Sequence, residues 1–209
     1  MQFLTKKIVF PDVSKATSDG LLAIGGDLSP ERLISAYQRG IFPWFNEGEP
    51  ILWWSPDPRF VLFPEALKVS KSMQQLFARE SFSVTVNKDF RSVITACANA
   101  RRKQQAGTWI TMDMIDAYVT LHNMGLAKSV EVWHDGLLAG GLYGVDMGNG
   151  VFSGESMFSS VNNASKYGFI TFVKNSDYRL IDCQVHTPHL ESLGACKIPR
   201  NDFLKILGN

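Results

Sequence analysis

The sequence predicts an α+β fold in two parts: a small, loop-rich N-terminal α/β domain over residues 1–65 and a larger domain over residues 66–209. Three observations carry that prediction. The first third is crowded with turn formers, from Pro11 and Gly20 through Gly40 and Pro43 to Pro64, which keeps its regular elements short. From about residue 66, long segments of helical or alternating periodicity take over. Among these, Asp135-Gly136 and Asn149-Gly150 divide apolar runs in the manner of tight hairpin turns. With 45% hydrophobic and 20% charged residues, the 209-residue chain has the composition of an ordinary globular protein. No run approaches the roughly 18 uninterrupted apolar residues of a membrane span, and Met1 to Phe10 lacks the apolar core of a signal peptide. A cytoplasmic location is expected. Cys97, Cys183 and Cys196 are an odd number at wide spacing, which disfavours both a disulfide framework and a zinc knuckle.

The elements follow in order. Ser29 as N-cap, Pro30 in the first turn and Gly40 as a stop delimit a helix with Leu33, Ile34 and Tyr37 on one face. Two aromatic-rich pieces, Ile41 to Phe45 and Ile51 to Trp54, complete the first part. The second part is read as a helix at about 70–79, a strand over Phe82 to Val86, a helix at about 88–101, and a helix capped by Thr111 and closed by Gly125. A three-strand meander then runs over Ser129 to His134, Leu137 to Val145 and Val151 to Gly154, followed by a helix at 162–174, a strand at 178–184 and a helix at about 200–207. Strand, helix, helix, meander, helix, strand is the element order of the GNAT-type acyltransferase fold. Acetyltransferases of that fold cradle a pyrophosphate on a glycine-containing turn before the helix that follows the meander. Here that connection is read as Gly154 to Ser160, with a carboxylate and apolar groups where phosphate would sit, so coenzyme A is not expected.

The net charge of +1 averages over unlike regions. Residues 1–65 hold six bases and eight acids, residues 66–128 nine and four, and residues 129–209 six and eight. The middle is therefore basic, and Arg101-Arg102-Lys103 is its densest point. A solvated helix end and a polyanion contact are both open readings. Three further segments combine polar groups with aromatic surroundings. Trp44, Trp53 and Trp54 lie within eleven residues and either fill a core or stack a ligand. Glu155, in Phe152 to Phe158, is a carboxylate at the end of a strand that otherwise reads as buried, so it must be paired, hydrogen-bonded or protonated. In Leu180 to Val185, period-2 alternation puts Asp182 and Gln184 on one face and Ile181, Cys183 and Val185 on the other, which makes Cys183 a core residue and not a nucleophile. His186 and His189 lack a third ligand, and Pro188 breaks the helix that would align them, so no metal is expected.

These segments closely resemble the bacterial leucyl/phenylalanyl-tRNA protein transferases. The matching stretches are Gly20 to Pro30, Ala36 to Trp44, Ile51 to Arg59, Gly107 to Thr111, Gly154 to Ser159, Asn163 to Lys166, Ile181 to Val185 and Ser192 to Cys196, in order along nearly the whole chain. The resemblance implies a small N-terminal domain plus a GNAT-like C-terminal domain, and transfer of leucine or phenylalanine, less readily methionine, from the acceptor end of leucyl-tRNA or phenylalanyl-tRNA. The recipients it implies are proteins with N-terminal arginine or lysine, thereby marked for the N-degron pathway, with no cofactor, metal or membrane involved. It implies a catalytic centre at Asp182 and Gln184 with Glu155 beside the substrate amino groups. It places Tyr37, Trp44, Trp109, Leu142, Phe152, Phe172 and Ile181 around the amino-acid pocket and terminal adenosine. For tRNA it leaves Lys71, Arg79, Arg101, Arg102 and Lys103, since Gln74 and Gln75 stand where more basic relatives carry Lys or Arg. Some relatives continue beyond Asn209, so contacts made by such a segment are expected to be missing. Because aminoacyl-tRNA is an activated ester, the residues are expected to align an amine and exclude water, with Gln184 oriented by Asp182 and Asp182 taking the proton.

Overall fold

The computed structural model describes residues 2–100 and 109–208. The chain opens with β1 (Gln2–Leu4), β2 (Leu21–Gly25), α1 (Pro30–Gln38), β3 (Phe42–Pro43) and β4 (Leu52–Trp54). These strands form a four-stranded sheet in the order β1-β2-β4-β3, parallel between β1 and β2 and antiparallel elsewhere. Ser29 does stand at the N-cap of α1, but its hydroxyl and amide both turn to Asp27 and not to the helix. Asp27 in turn pairs with the fully buried Arg32, which also donates to the carbonyls of Thr5 and Lys7 and so ties the first residues down.

β5 (Arg59–Leu62), which nothing in the sequence reading anticipates, belongs to the second, seven-stranded sheet. Then come α2 (Lys71–Ala78), β6 (Ser83–Val86), α3 (Phe90–Asn99), α4 (Met112–Asn123), β7 (Ala127–His134), β8 (Leu137–Asp146), β9 (Val151–Ser159), α5 (Ala164–Lys174), β10 (Leu180–Gln184), α6 (Pro188–Ser192), β11 (Cys196–Ile198) and α7 (Arg200–Leu207). Thr111 caps α4 as expected, and Ser70 and Asp89, which the sequence reading did not single out, do the same for α2 and α3: each accepts a backbone N–H of its own first turn. Asp135 (φ 50°) and Gly136 (φ 75°) make the left-handed two-residue turn between β7 and β8.

The large sheet runs β11-β5-β10-β9-β8-β7-β6 and is antiparallel except where β10 lies beside β9. One face carries α2 and α5 over a core that includes Leu142, Phe152, Phe169, Phe172 and Ile181. The other face carries α3 and α4, and its core runs on without a break into the first part through Leu33, Tyr37 and Trp53. The parallel pairing joins Leu180, Ile181 and Asp182 to Val151, Phe152 and Ser153 and goes no further. Past those rungs, the residues of both strands line a cavity.

The connection assigned above to Gly154 to Ser160 is corrected by the ladder. β9 stays paired with β8 as far as Ser159, so Glu155 lies within a strand and the link to α5 is only Ser160 to Asn163. A bulge explains how the strand continues: Tyr143 pairs with Ser156 and Gly144 with Gly154, leaving Glu155 as the extra residue.

Candidate active site

A cavity of about 680 Å³ opens where β9 and β10 part. Its floor is apolar: Leu142, Phe152 and Ile181 are each no more than 2% exposed. Trp109 forms a wall, and Trp44, 36% exposed, stands at the mouth. The three clustered tryptophans divide their work. Trp53 is a core residue whose Nε1 donates to the Gly25 carbonyl at 2.8 Å, while Trp54 donates to the Trp44 carbonyl at 2.7 Å and holds the exposed ring in place.

The polar end of the cavity is a single buried network. Glu155 accepts from Gln184 Nε2 at 2.7 Å on one oxygen and from the Tyr118 hydroxyl at 3.1 Å on the other. Tyr37 hydrogen-bonds the Tyr118 hydroxyl in turn; since that proton already goes to Glu155, Tyr37 is the donor. These bonds favour a carboxylate, but burial opposes it more strongly, and the Glu155 carboxyl is pushed up to about 7. Burial, with the Glu155 charge added, also holds both tyrosine hydroxyls well above their ordinary range, so they stay donors.

Asp182 is engaged on every side. Arg59 grips it with two bonds of 2.8 and 2.7 Å, Ser153 donates at 3.3 Å, and the backbone N–H of Gln184 donates at 2.9 Å. Both members of the ion pair are at most 2% exposed. Gln184 has a φ of 62°, and the pairing of β10 shifts register between Asp182 and Gln184. The simple alternation predicted for this strand therefore breaks at its last residue. The two polar groups still meet, because the Asp182 carboxylate holds the irregular turn by its N–H. Cys183 touches the cavity from the same core as Leu142, Phe152 and Ile181; its thiol is pushed up far by burial and remains protonated.

Of the predicted residues, Trp44, Trp109, Leu142, Phe152, Glu155, Ile181, Asp182 and Gln184 line the cavity. Tyr37 lies behind Glu155, bonded to the Tyr118 hydroxyl and, with Tyr118 and Gln184, contributing to the hydrogen bonding of the Glu155 carboxyl. Phe172 is one layer deeper: it packs on Phe152 at 4.7 Å and lines a different cavity. Lys71 and Arg79, at the two ends of α2, are exposed and apart from the cavity. Arg101, Arg102 and Lys103 lie outside the described residues. Arg59, Tyr118 and Ser153 were missed by sequence reasoning. Arg59 was visible there only as the last residue of a matching stretch, and a charge inside the run Arg59 to Leu62 was the available signal. Among the described residues no three His, Cys, Asp or Glu side chains gather as a metal site, and no helix is long and apolar enough to cross a membrane.

Comparison with known proteins adds the following. Residues 61–208 match the family model described as leucyl/phenylalanyl-tRNA protein transferase, and residues 26–57 match that of its N-terminal domain. Proteins named leucyl/phenylalanyl-tRNA protein transferase from Flavobacterium johnsoniae and Flavobacterium psychrophilum are 57% and 56% identical, each covering 99% of this chain and 99% of their own length. One from Syntrophus aciditrophicus is 56% identical over 98% of this chain and 86% of its own. Among solved structures, a conserved protein of unknown function from Bacteroides thetaiotaomicron aligns with a TM-score of 0.45 at 11% identity, over 81% of this chain and 62% of that one. A GCN5-related N-acetyltransferase from Kribbella flavida aligns with a TM-score of 0.37 at 10% identity, over 82% of this chain and 61% of that one.

Proposed function

The chain belongs to the leucyl/phenylalanyl-tRNA protein transferase family, and from that premise we propose that it moves leucine or phenylalanine, and less readily methionine, from the acceptor end of tRNA to the α-amino group of proteins beginning with arginine or lysine. The product carries a destabilising N-terminus for the N-degron pathway. Aminoacyl-tRNA is a cytoplasmic metabolite, and the reaction is placed there. The larger part of the chain is read as GNAT-like, supported by its order of strand, two helices, meander, helix and strand.

The observation that carries the reading is an apolar slot closed at one end by Glu155, Gln184 and Asp182. A leucyl or phenylalanyl side chain fits the Leu142, Phe152 and Ile181 floor, and Trp44 at the mouth offers a face for the terminal adenine. In the reaction the amine nitrogen attacks the ester carbonyl carbon, the new C–N bond replaces the bond to the ribose 3′ oxygen, and the amine's proton ends on that released oxygen. No covalent enzyme intermediate is required.

Within this reading we divide the parts differently from the sequence expectation, on the support of the hydrogen-bond network. Asp182 neutralises Arg59 and holds the Gln184 backbone, so it acts as a positioning residue and not as the proton acceptor. Gln184 spends its Nε2 on Glu155, which leaves its side-chain carbonyl to accept from the incoming amine. Glu155, poised at about 7, takes the amine proton and returns it to the leaving oxygen. The test is direct: supply labelled leucyl-tRNA with one peptide beginning with arginine and a matched one beginning with glutamate. Label on the arginine peptide alone is expected; label on neither, with folded protein and intact leucyl-tRNA, overturns the reading.

A further inference from the structure

Two histidines stand three residues apart just beyond β10, and they are not equivalent. His186 is committed: its ring packs edge-on to Phe60 at 5.1 Å, and its Nε2 pairs with Glu191 at 3.0 Å. His189, on α6, lines the active-site cavity, and its Nε2 is sealed from solvent with no hydrogen-bond partner among the described residues. A buried ring nitrogen left without a partner costs free energy, which a ligand in the cavity recovers once a turn of the ring brings that nitrogen to the cavity surface. The neighbouring charge points to the kind of ligand. Lys166, in the first turn of α5, makes no hydrogen bond or ion pair among the described residues, and it lies near enough that its charge, after burial, holds the His189 imidazole below the ordinary range. The ring is therefore neutral at pH 7, carrying one N–H, beside an unspent ammonium. Ser165, adjacent to Lys166, lines the same cavity.

We propose that His189 and Lys166 hold the phosphodiester on the 5′ side of the terminal adenosine of the donor tRNA. This rests on the aminoacyl-tRNA reading above and adds to it the group that fixes the donor's backbone. A sugar hydroxyl would satisfy His189 but would leave the ammonium unused; a phosphodiester keeps its negative charge at all working pH values and takes a neutral N–H and an ammonium together. The site also lies where such a phosphate must pass. The acyl group fills the apolar floor, and α6, none of whose residues is fully buried, forms the edge by which the rest of the tRNA leaves.

The experiment uses two minimal donors: leucyl-adenosine, which has no phosphodiester, and the leucyl ester of cytidylyl-adenosine, which has one. For Lys166→Ala and His189→Leu, KM for the dinucleotide donor is expected to rise about tenfold with kcat little changed, the size of a lost charge-assisted hydrogen bond. KM for leucyl-adenosine should stay at the wild-type value, Lys166→Arg should restore the dinucleotide donor, and the unfolding temperature of neither variant should fall. Equal losses on both donors would place these residues on the adenosine, the acyl group or the fold and overturn the proposal, as would no loss on either. Wild-type protein inactive on both donors and on full leucyl-tRNA would instead overturn the transferase reading, and this proposal with it.

Discussion

At Glu155 three hydrogen-bond donors and burial pull in opposite directions, and burial wins. The sign of the consequence for stability is fixed. Below the ordinary value of 4.5 folded and unfolded chains both hold the proton; between 4.5 and about 7 only the folded chain keeps it, so stability falls as pH rises through that window. Glu155→Gln should remove that fall, on the order of 3 kcal/mol, when urea unfolding of the two proteins is compared at pH 4.5 and 7.5. In transfer assays the wild-type rate should climb through about pH 7 as Glu155 ionises, and the Gln variant should lose that limb together with most of its rate. Leu142 offers a test of the slot. It is 2% exposed on the cavity floor, so Leu142→Phe takes volume from the acyl side chain and should lower phenylalanine transfer more than leucine transfer; an unchanged ratio of kcat/KM values removes Leu142 from the pocket. The three tryptophans show how far residue type alone carries. Type predicted both core and ligand roles, and backbone partners decide between them, a carbonyl deep in the sheet for Trp53 and open solvent on one face for Trp44.

Among the elements, β9 governs the site because its bulge at Glu155 re-aims one carboxyl out of an otherwise regular ladder. Gly144 permits it. A Cβ there would meet the Ser153 carbonyl oxygen at 2.3 Å and the Phe152 ring at 2.5 Å, both inside contact distance. Gly144→Ala should therefore cost about 1–3 kcal/mol, read as a lowered Tm, and should depress kcat beyond what the stability loss explains, because Glu155 moves with the ladder. Much of this level was legible in the sequence. Thr111 announces its helix and Asp135-Gly136 its hairpin, because caps and left-handed turns are chemistry between near neighbours. What failed were elements whose identity depends on distant partners. β1, β5 and β11 have four residues or fewer, too short for periodicity to speak, and β9 reads as ending at Gly154 because a glycine and a carboxylate look like a turn until β8 is seen alongside.

Across the whole molecule, Arg59 joins what the sequence separates. From β5 it binds Asp182 on β10, donates to the Gly40 carbonyl of the first part, and lies between the rings of Phe42 and Phe203 at 4.8 and 4.7 Å. Such a residue is invisible to local pattern, since its partners stand 19 and 123 positions away. Arg59→Leu leaves a buried carboxylate without its counter-ion and should destabilise the fold by about 3–5 kcal/mol in urea unfolding, with transfer activity lost as Gln184 slackens; an active variant of near wild-type stability would show that the pair is ornamental. The same pair sets an order of events in synthesis. A nascent chain that has extended only to β9 possesses Arg59, Glu155 and both tyrosines but no Asp182, and its guanidinium cannot enter the interior uncompensated. The long loop closes only after β10 has emerged, and Phe203, against which the guanidinium packs, follows on α7, so the charge that holds Gln184 is seated among the last steps of making the chain.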